Sequence, residues 1–465
     1  MTRPAQIQAY DVWLSPEQFW SSHICNRTPV VLKGTEFSAE LGSLSRWTDE
    51  YLARKASTAF LSVEHRDSPG DSFGKGSKLP IQFGDFLKRL QQHDDSIYLS
   101  SQQLRTARDG YPECLGQPLT LLAADFPLRP KLMGGLLPQQ INIWMGAAKN
   151  GASSGLHHDY HDNLYILLRG QKRFRLFPPS QAPNMYTHGA VAQIHPNGRI
   201  VYEGQGRVGA DGADRGEVER WQQRRHAEQR LSAAEAACTH GDQGAEEEMA
   251  AAEAELEALL ESSLVSGRPA KRAKRNHPAD KASAEEQHSG EDLSNNTSDE
   301  KDDEDYESAS DFEHVSNLED DFRDDYQDSG DEERCNAEAA MGLLSHRGHS
   351  NGAMEPDPSP RNFSQIDLSQ PQDQLAKKFP KFPGLKAAQE VELEAGQMLY
   401  LPAGWFHEVT SFSEAPSQTH LALNYWFQPP DNLDASPAGM AKPYRSEFWP
   451  TLWAERHQGD LAKRS

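Results

Sequence analysis

The chain of 465 residues is poor in cysteine. Its four cysteines, Cys25, Cys114, Cys238 and Cys335, lie far apart and form no C-x-x-C pair. That excludes a disulfide framework and a zinc ribbon, and it fits a reducing compartment. A basic-then-apolar signal pattern is missing at the N-terminus, and no run approaches the roughly 18 apolar residues of a membrane span. The expectation is a soluble, intracellular protein, in the nucleus, the cytoplasm or both. Apolar residues are also scarce, at 36%, with a mean hydropathy of −0.77, too little for a chain that is globular throughout. Basic residues are nearly absent from Glu291–Arg334, which holds 20 acidic and 3 basic side chains, a local net of −17. The whole chain carries −23, so −6 is left for the remainder, an ordinary value for a folded protein.

What is present falls into blocks. Residues 1–137 read as mixed helices and strands. "LSPEQFW" offers Ser15 as N-cap, Pro16 at the first helical position and Gln18 three residues after the cap. "TPVVLKG" and "SIYLSSQQL" read as strands, and "FGDFLKRLQ" as a helix. Residues 138–204 are dominated by strands: "QINIWMG", "NLYILLRGQKRFRLFPP" as a hairpin, and "AVAQIH" with "GRIVY" about the turn at Pro196-Asn197-Gly198. Residues 205–362 form a charged insertion. Glu217–Ser262 predicts one or two solvated helices, and the acidic tract lacks the apolar groups that would offset ordering entropy. Strands resume over 363–430, and an aromatic tail closes the chain over 431–465. A mainly β fold results, two halves of one antiparallel sandwich or barrel separated by an insertion that is helical first and then disordered.

The densest chemistry lies in "GLHHDYHDNLYILLRGQKRFRLFPP", residues 155–179. In a strand, side chains two apart share a face, so His157 and Asp159 point together while His158 and Tyr160 point away. An imidazole and a carboxylate so spaced, with a distant second histidine, can occupy three adjacent corners of an octahedron, as in non-haem Fe(II) oxygenases. His407 in "LPAGWFHEV" is the candidate for the third ligand. His161 and Asp162 read as loop or cap residues, and His158 as a supporting or surface group. Lys172 shares a strand face with Phe174 and Leu176, where a lysine is costly unless an anion meets it. Asn163 has the parity of Leu167, and Asn424 interrupts the apolar strand "LALNYWF". Ser154 precedes His157 by three residues, and Tyr98 lies in "IYLSS".

Together, "INIWMG…SGLHHDYHDNLYILLRGQKRFRLFPPS" and "LEAGQMLYLPAGWFHEVTS…HLALNYWFQ" resemble the JmjC-type, cupin-fold Fe(II) and 2-oxoglutarate-dependent oxygenases. The likeness covers roughly residues 10–205 and 363–430. It implies a double-stranded β-helix with His157, Asp159 and His407 as iron ligands. It also implies that Lys172, helped by Ser154 and Tyr98, binds the distal carboxylate of 2-oxoglutarate, with Asn163 and Asn424 lining that pocket. Within the family, "IYLSSQQL", "LHHDYHDNLY" and "LYLPAGWFHEV" look most like the small lysyl-hydroxylase branch. The implied function is hydroxylation of a protein side chain, lysine for that branch, with release of succinate and CO2. Other readings are demethylation of histone methyl-lysine, hydroxylation of a tRNA base, or a non-enzymatic scaffold binding basic partners through the acidic tract. The basic cluster Lys271–Arg275 is short and flanked by acid, so it reads as a nuclear import signal rather than a nucleic-acid site.

Overall fold

In the computed structural model, residues 7–33, 40–66, 77–107, 110–148, 151–266, 359–413 and 418–461 are described. The helix Pro16–Phe19 begins as its residues dictate: the Gln18 amide donates to Ser15 Oγ at 3.2 Å, and the Ser15 amide donates to the Gln18 side chain at 3.1 Å. Two orphan donors are thereby satisfied reciprocally.

The strands run in chain order as β1 (Gln8–Tyr10), β2 (Val30–Leu32), β3 (Phe60–His65), β4 (Ser77–Gln82), β5 (Ile97–Leu99) and β6 (Pro138–Gly146). Next come β7 (Ala152–Ser153), β8 (His157–His158), β9 (Asp162–Arg169), β10 (Gln171–Phe177), β11 (Val191–Ile194) and β12 (Ile200–Tyr202). After the insertion follow β13 (Gln389–Leu393), β14 (Met398–Leu401), β15 (Phe406–Phe412) and β16 (His420–Phe427). One sheet has the order β1-β2-β14-β9-β16-β6-β5-β3-β4, and a second has β13-β10-β15-β7 with β8 also on β15.

The hairpin expected from "NLYILLRGQKRFRLFPP" does not form. β9 lies between β14 and β16, whereas β10 lies between β13 and β15 in the opposite sheet. Gly170, at φ +78°, carries the chain across, and a Cβ there would stand 2.6 Å from the Phe412 carbonyl. β13 to β16 alternate between the sheets in the same way. This alternation makes a double-stranded β-helix, as the family resemblance implied. Tyr165, Leu167, Phe174, Leu176, Leu399 and Ala422 fill the space between the layers. The outer face of the larger sheet is covered by N-terminal residues such as Phe19, Phe83 and Phe86, packed with Leu164, Ile166 and Leu423.

The Ala- and Glu-rich stretch forms helices Arg215–His240 and Ala245–Ser266, joined by ion pairs of Arg230 with Glu248 and Glu255. The residues just after β12 pack onto the fold. Trp449 Nε1 donates to the Asp211 carbonyl at 3.1 Å, Asn197 Nδ2 to Ala210 O at 2.8 Å, and Val218 packs with Phe448 and Leu452. At the far end of the insertion, Asn362 is buried against β8. Both flanks of the 205–362 block are thus built into the molecule. Lys271–Arg275 and the acidic tract lie outside the described residues. Among the described residues, no helix is long and apolar enough to cross a membrane.

Candidate metal centre and active site

β8 and β15 pair antiparallel with His157 directly opposite His407. Asp159 follows β8 immediately, and ligand atoms of the three side chains lie within 4.8 Å of one another. His407 Nε2 is 3.8 Å from Asp159 Oδ2, and the two imidazole rings are 4.3 Å apart. Each imidazole is oriented from behind. His157 Nδ1 donates to the Gly155 carbonyl and His407 Nδ1 to the Trp405 carbonyl, both at 3.0 Å. A carbonyl can only accept, so Nδ1 carries the hydrogen and Nε2 keeps its lone pair for the cluster. Burial, then the neighbouring His407, lowers His157 to about 4. Burial opposes ionisation of Asp159, but the adjacent His407 and His157 hold its carboxyl below the usual range. A neutral His157 imidazole beside a carboxylate and His407 has the protonation that a divalent cation requires.

Asp159 is held by a relay across the larger sheet. Its Oδ2 accepts from Trp426 Nε1 at 3.1 Å and from Asn163 Nδ2 at 3.3 Å. Asn163 Oδ1 accepts from Asn424 Nδ2 at 3.0 Å, and Asn424 Oδ1 from Trp144 Nε1 at 2.8 Å. The two asparagines that break apolar strands therefore orient the carboxylate. His158 points the other way, as parity predicts, but it is not a surface group. It is fully buried, its Nε2 bonded to Tyr202 Oη at 2.7 Å, and burial pushes it down to about 3. Nor is Asp162 a loop or cap residue. Buried at the start of β9, it accepts from Arg27, from Tyr400 Oη at 2.7 Å and from the Ala403 amide at 3.0 Å. His161 lines the cavity in front of the cluster.

That cavity, of about 450 Å³, also receives Lys172, Tyr98, Ser154, Asn163 and Asn424. Lys172 is 1% exposed and donates to Ser411 Oγ at 2.5 Å, its partner across β10 and β15. Its ammonium stands 5.7 Å from the centre of the Tyr98 ring. Burial lowers it to about 7, and among the described residues no carboxylate pairs with it. Ser154 is engaged elsewhere. Its hydroxyl donates to Gly155 O and accepts from the Val409 amide, both at 3.0 Å, which leaves no hydrogen for an anion.

A family model described as a cupin-like domain matches residues 16–433. The chain belongs to the cupin-like JmjC family. The JmjC domain-containing protein 4 of Schizosaccharomyces pombe is 31% identical over 464 residues, spanning 90% of this chain and 84% of that protein. The human bifunctional peptidase and (3S)-lysyl hydroxylase JMJD7 is 26% identical over 189 residues, spanning 39% of this chain and 57% of that protein. The Arabidopsis thaliana lysine-specific demethylase JMJ31 is 24% identical over 229 residues, spanning 41% of each. JmjC hydroxylases and demethylases are oxygenases, and this chain is an oxygenase of the same family.

Several cavity residues, Ser411 and Phe363 among them, escaped the sequence reading. Ser411 was within its reach, because 407, 409 and 411 share a strand face and all three line the cavity. Phe363 was not. It stacks on His157 with ring centres 4.7 Å apart and planes 10° apart, yet it follows a long stretch that carries no register with β8.

Proposed function

We propose that this oxygenase is an Fe(II)- and 2-oxoglutarate-dependent dioxygenase that hydroxylates a protein side chain, lysine in the first instance. The observation that carries the reading is the sharing of one cavity by the His157–Asp159–His407 cluster and a buried lysine that no carboxylate among the described residues pairs with. Two histidines and one carboxylate on one side of a cavity suit non-haem Fe(II) and leave coordination positions open. A buried ammonium suits the distal carboxylate of a dicarboxylic cosubstrate. Bound iron and 2-oxoglutarate together supply O2 activation and insertion of one oxygen atom into a C–H bond, with succinate and CO2 released.

The chain's own residues bind, orient and exclude water. Lys172, with Ser411 and the Tyr98 ring, fixes the cosubstrate's far end. The Trp144–Asn424–Asn163 relay and Trp426 keep Asp159 in one orientation. Lysine is supported by the likeness of the local stretches to the lysyl-hydroxylase branch and by the (3S)-lysyl hydroxylase activity of the human relative. Glu64, which accepts from Ser100 at 2.6 Å, also lines the cavity.

The test is mass spectrometry of cell extract treated with the protein, Fe(II) and 2-oxoglutarate. A gain of one oxygen on lysine, with succinate released, is the expected result, and loss of methyl groups would support the demethylase reading instead. His157→Ala and Asp159→Ala should abolish turnover in a protein that still folds. Succinate formation unaffected by both substitutions would remove the basis of this reading.

A further inference from the structure

The chain that emerges from the insertion becomes part of the metal centre. Phe363 forms an isolated antiparallel bridge with His157, on the opposite edge of β8 from His407. The register is fixed on both sides. His158 N donates to Asn362 O at 3.2 Å, Asn362 Nδ2 to His158 O at 2.7 Å, and Ser364 N to Leu156 O at 2.8 Å. The Phe363 ring then lies nearly parallel to the His157 imidazole. The bond from His157 Nδ1 to Gly155 O fixes one in-plane direction of that imidazole, but by itself it leaves the ring free to tilt about that bond. His407 stands near His157 at an angle of 55°, so it does not define the ring plane. The flat surface that does is Phe363.

We infer that Phe363 is a positioning residue for the metal centre, holding the plane of His157 so that Nε2 faces Asp159 and His407. The inference rests on the metal-centre reading above. A stacked ring constrains more than an aliphatic side chain of similar volume, because the contact energy of two flat rings depends on the angle between their planes. The bridge also ties residues 362–364, at the far end of the insertion, to the first ligand strand of the site.

The experiment uses the full chain with Mn(II) as probe, its affinity read from the paramagnetic resonance of the free ion, beside the melting temperature of the metal-free protein. Phe363→Leu keeps apolar volume and removes the ring, and Phe363→Tyr restores it. Expected is a fall in Mn(II) affinity of roughly three- to tenfold for Leu, recovered by Tyr, with similar metal-free melting temperatures for the two variants. Equal affinities for Phe and Leu would overturn the inference and leave the metal centre standing. Wild-type protein that bound no Mn(II) would remove the metal centre, and the inference with it.

Discussion

Lys172 is the residue whose environment makes the sharpest demand. A buried ammonium bonded to a serine hydroxyl is short of partners, and a carboxylate from outside would satisfy it. Lys172→Ala should weaken 2-oxoglutarate binding roughly ten- to a hundredfold, since a charge-assisted contact contributes about 1.5–3 kcal/mol, while metal binding stays nearly intact. Equilibrium titration of both ligands checks this, and unchanged 2-oxoglutarate affinity would count against it. The sign of the pH dependence follows from the depressed value. Below about 7 the free site holds a charged lysine. Above it the anion must bring a proton with it, so affinity should fall roughly tenfold per pH unit. In the ligand-free protein the unfolded chain holds that proton between about 7 and 10.5, so this group makes stability rise with pH across that window.

His158 tests parity from the other side. His158→Ala should retain metal but lose about 1–3 kcal/mol of stability, because the buried Tyr202 hydroxyl loses one of its partners. Loss of metal from a folded variant would show that the parity argument is wrong. Parity made His157, Asp159 and the direction of His158 readable from the sequence. It did not reveal that Asp162 anchors Arg27 and Tyr400, because those partners come from segments remote in the chain.

Among the elements, the strands themselves were largely legible but their partners were not. Period-2 patterning says which residues share a face and is silent about which strand lies alongside. β9 and β10 therefore read as a hairpin, although Gly170 sends them to opposite sheets. The turn between β14 and β15 has a comparable constraint. Gly404 has φ +79°, donates to the Asp159 carbonyl at 2.9 Å, and would place a Cβ 1.9 Å from Gly198 O. Gly404→Ala should therefore destabilise the fold and loosen metal together, whereas a remote surface glycine substitution should do neither. The same turn is fixed by Asp162 through the Ala403 amide. Asp162→Asn leaves Arg27 without its buried counter-charge and should cost about 3–5 kcal/mol, measured by denaturant unfolding.

At the scale of the whole molecule, the two halves of the barrel meet across the insertion, and the metal cluster spans that junction. His157 and Asp159 come from before it, and His407 from after it. Residues 267–358 are charged and poor in apolar groups, so replacing them with a short flexible linker should leave a folded, metal-binding protein. Loop-closure entropy changes only logarithmically with length and favours the shorter loop slightly. The replacement must spare the packed flanks around Asp211, Val218 and Asn362, which composition alone did not distinguish from the rest. A linker variant that lost both metal and cooperative unfolding would show that the replaced residues are part of the fold.

On the proposed function, one cavity holds both a metal on His157, Asp159 and His407 and a dicarboxylate on Lys172. The most direct measurement is an anaerobic titration of the Fe(II)-loaded protein with 2-oxoglutarate, followed by the visible charge-transfer absorption of the chelated metal. The band should develop to one equivalent in wild type and be absent in Asp159→Ala. In Lys172→Ala it should reach the same amplitude only at roughly ten- to a hundredfold higher 2-oxoglutarate. A band that survived in Asp159→Ala, or a Lys172→Ala titration superimposable on wild type, would contradict it.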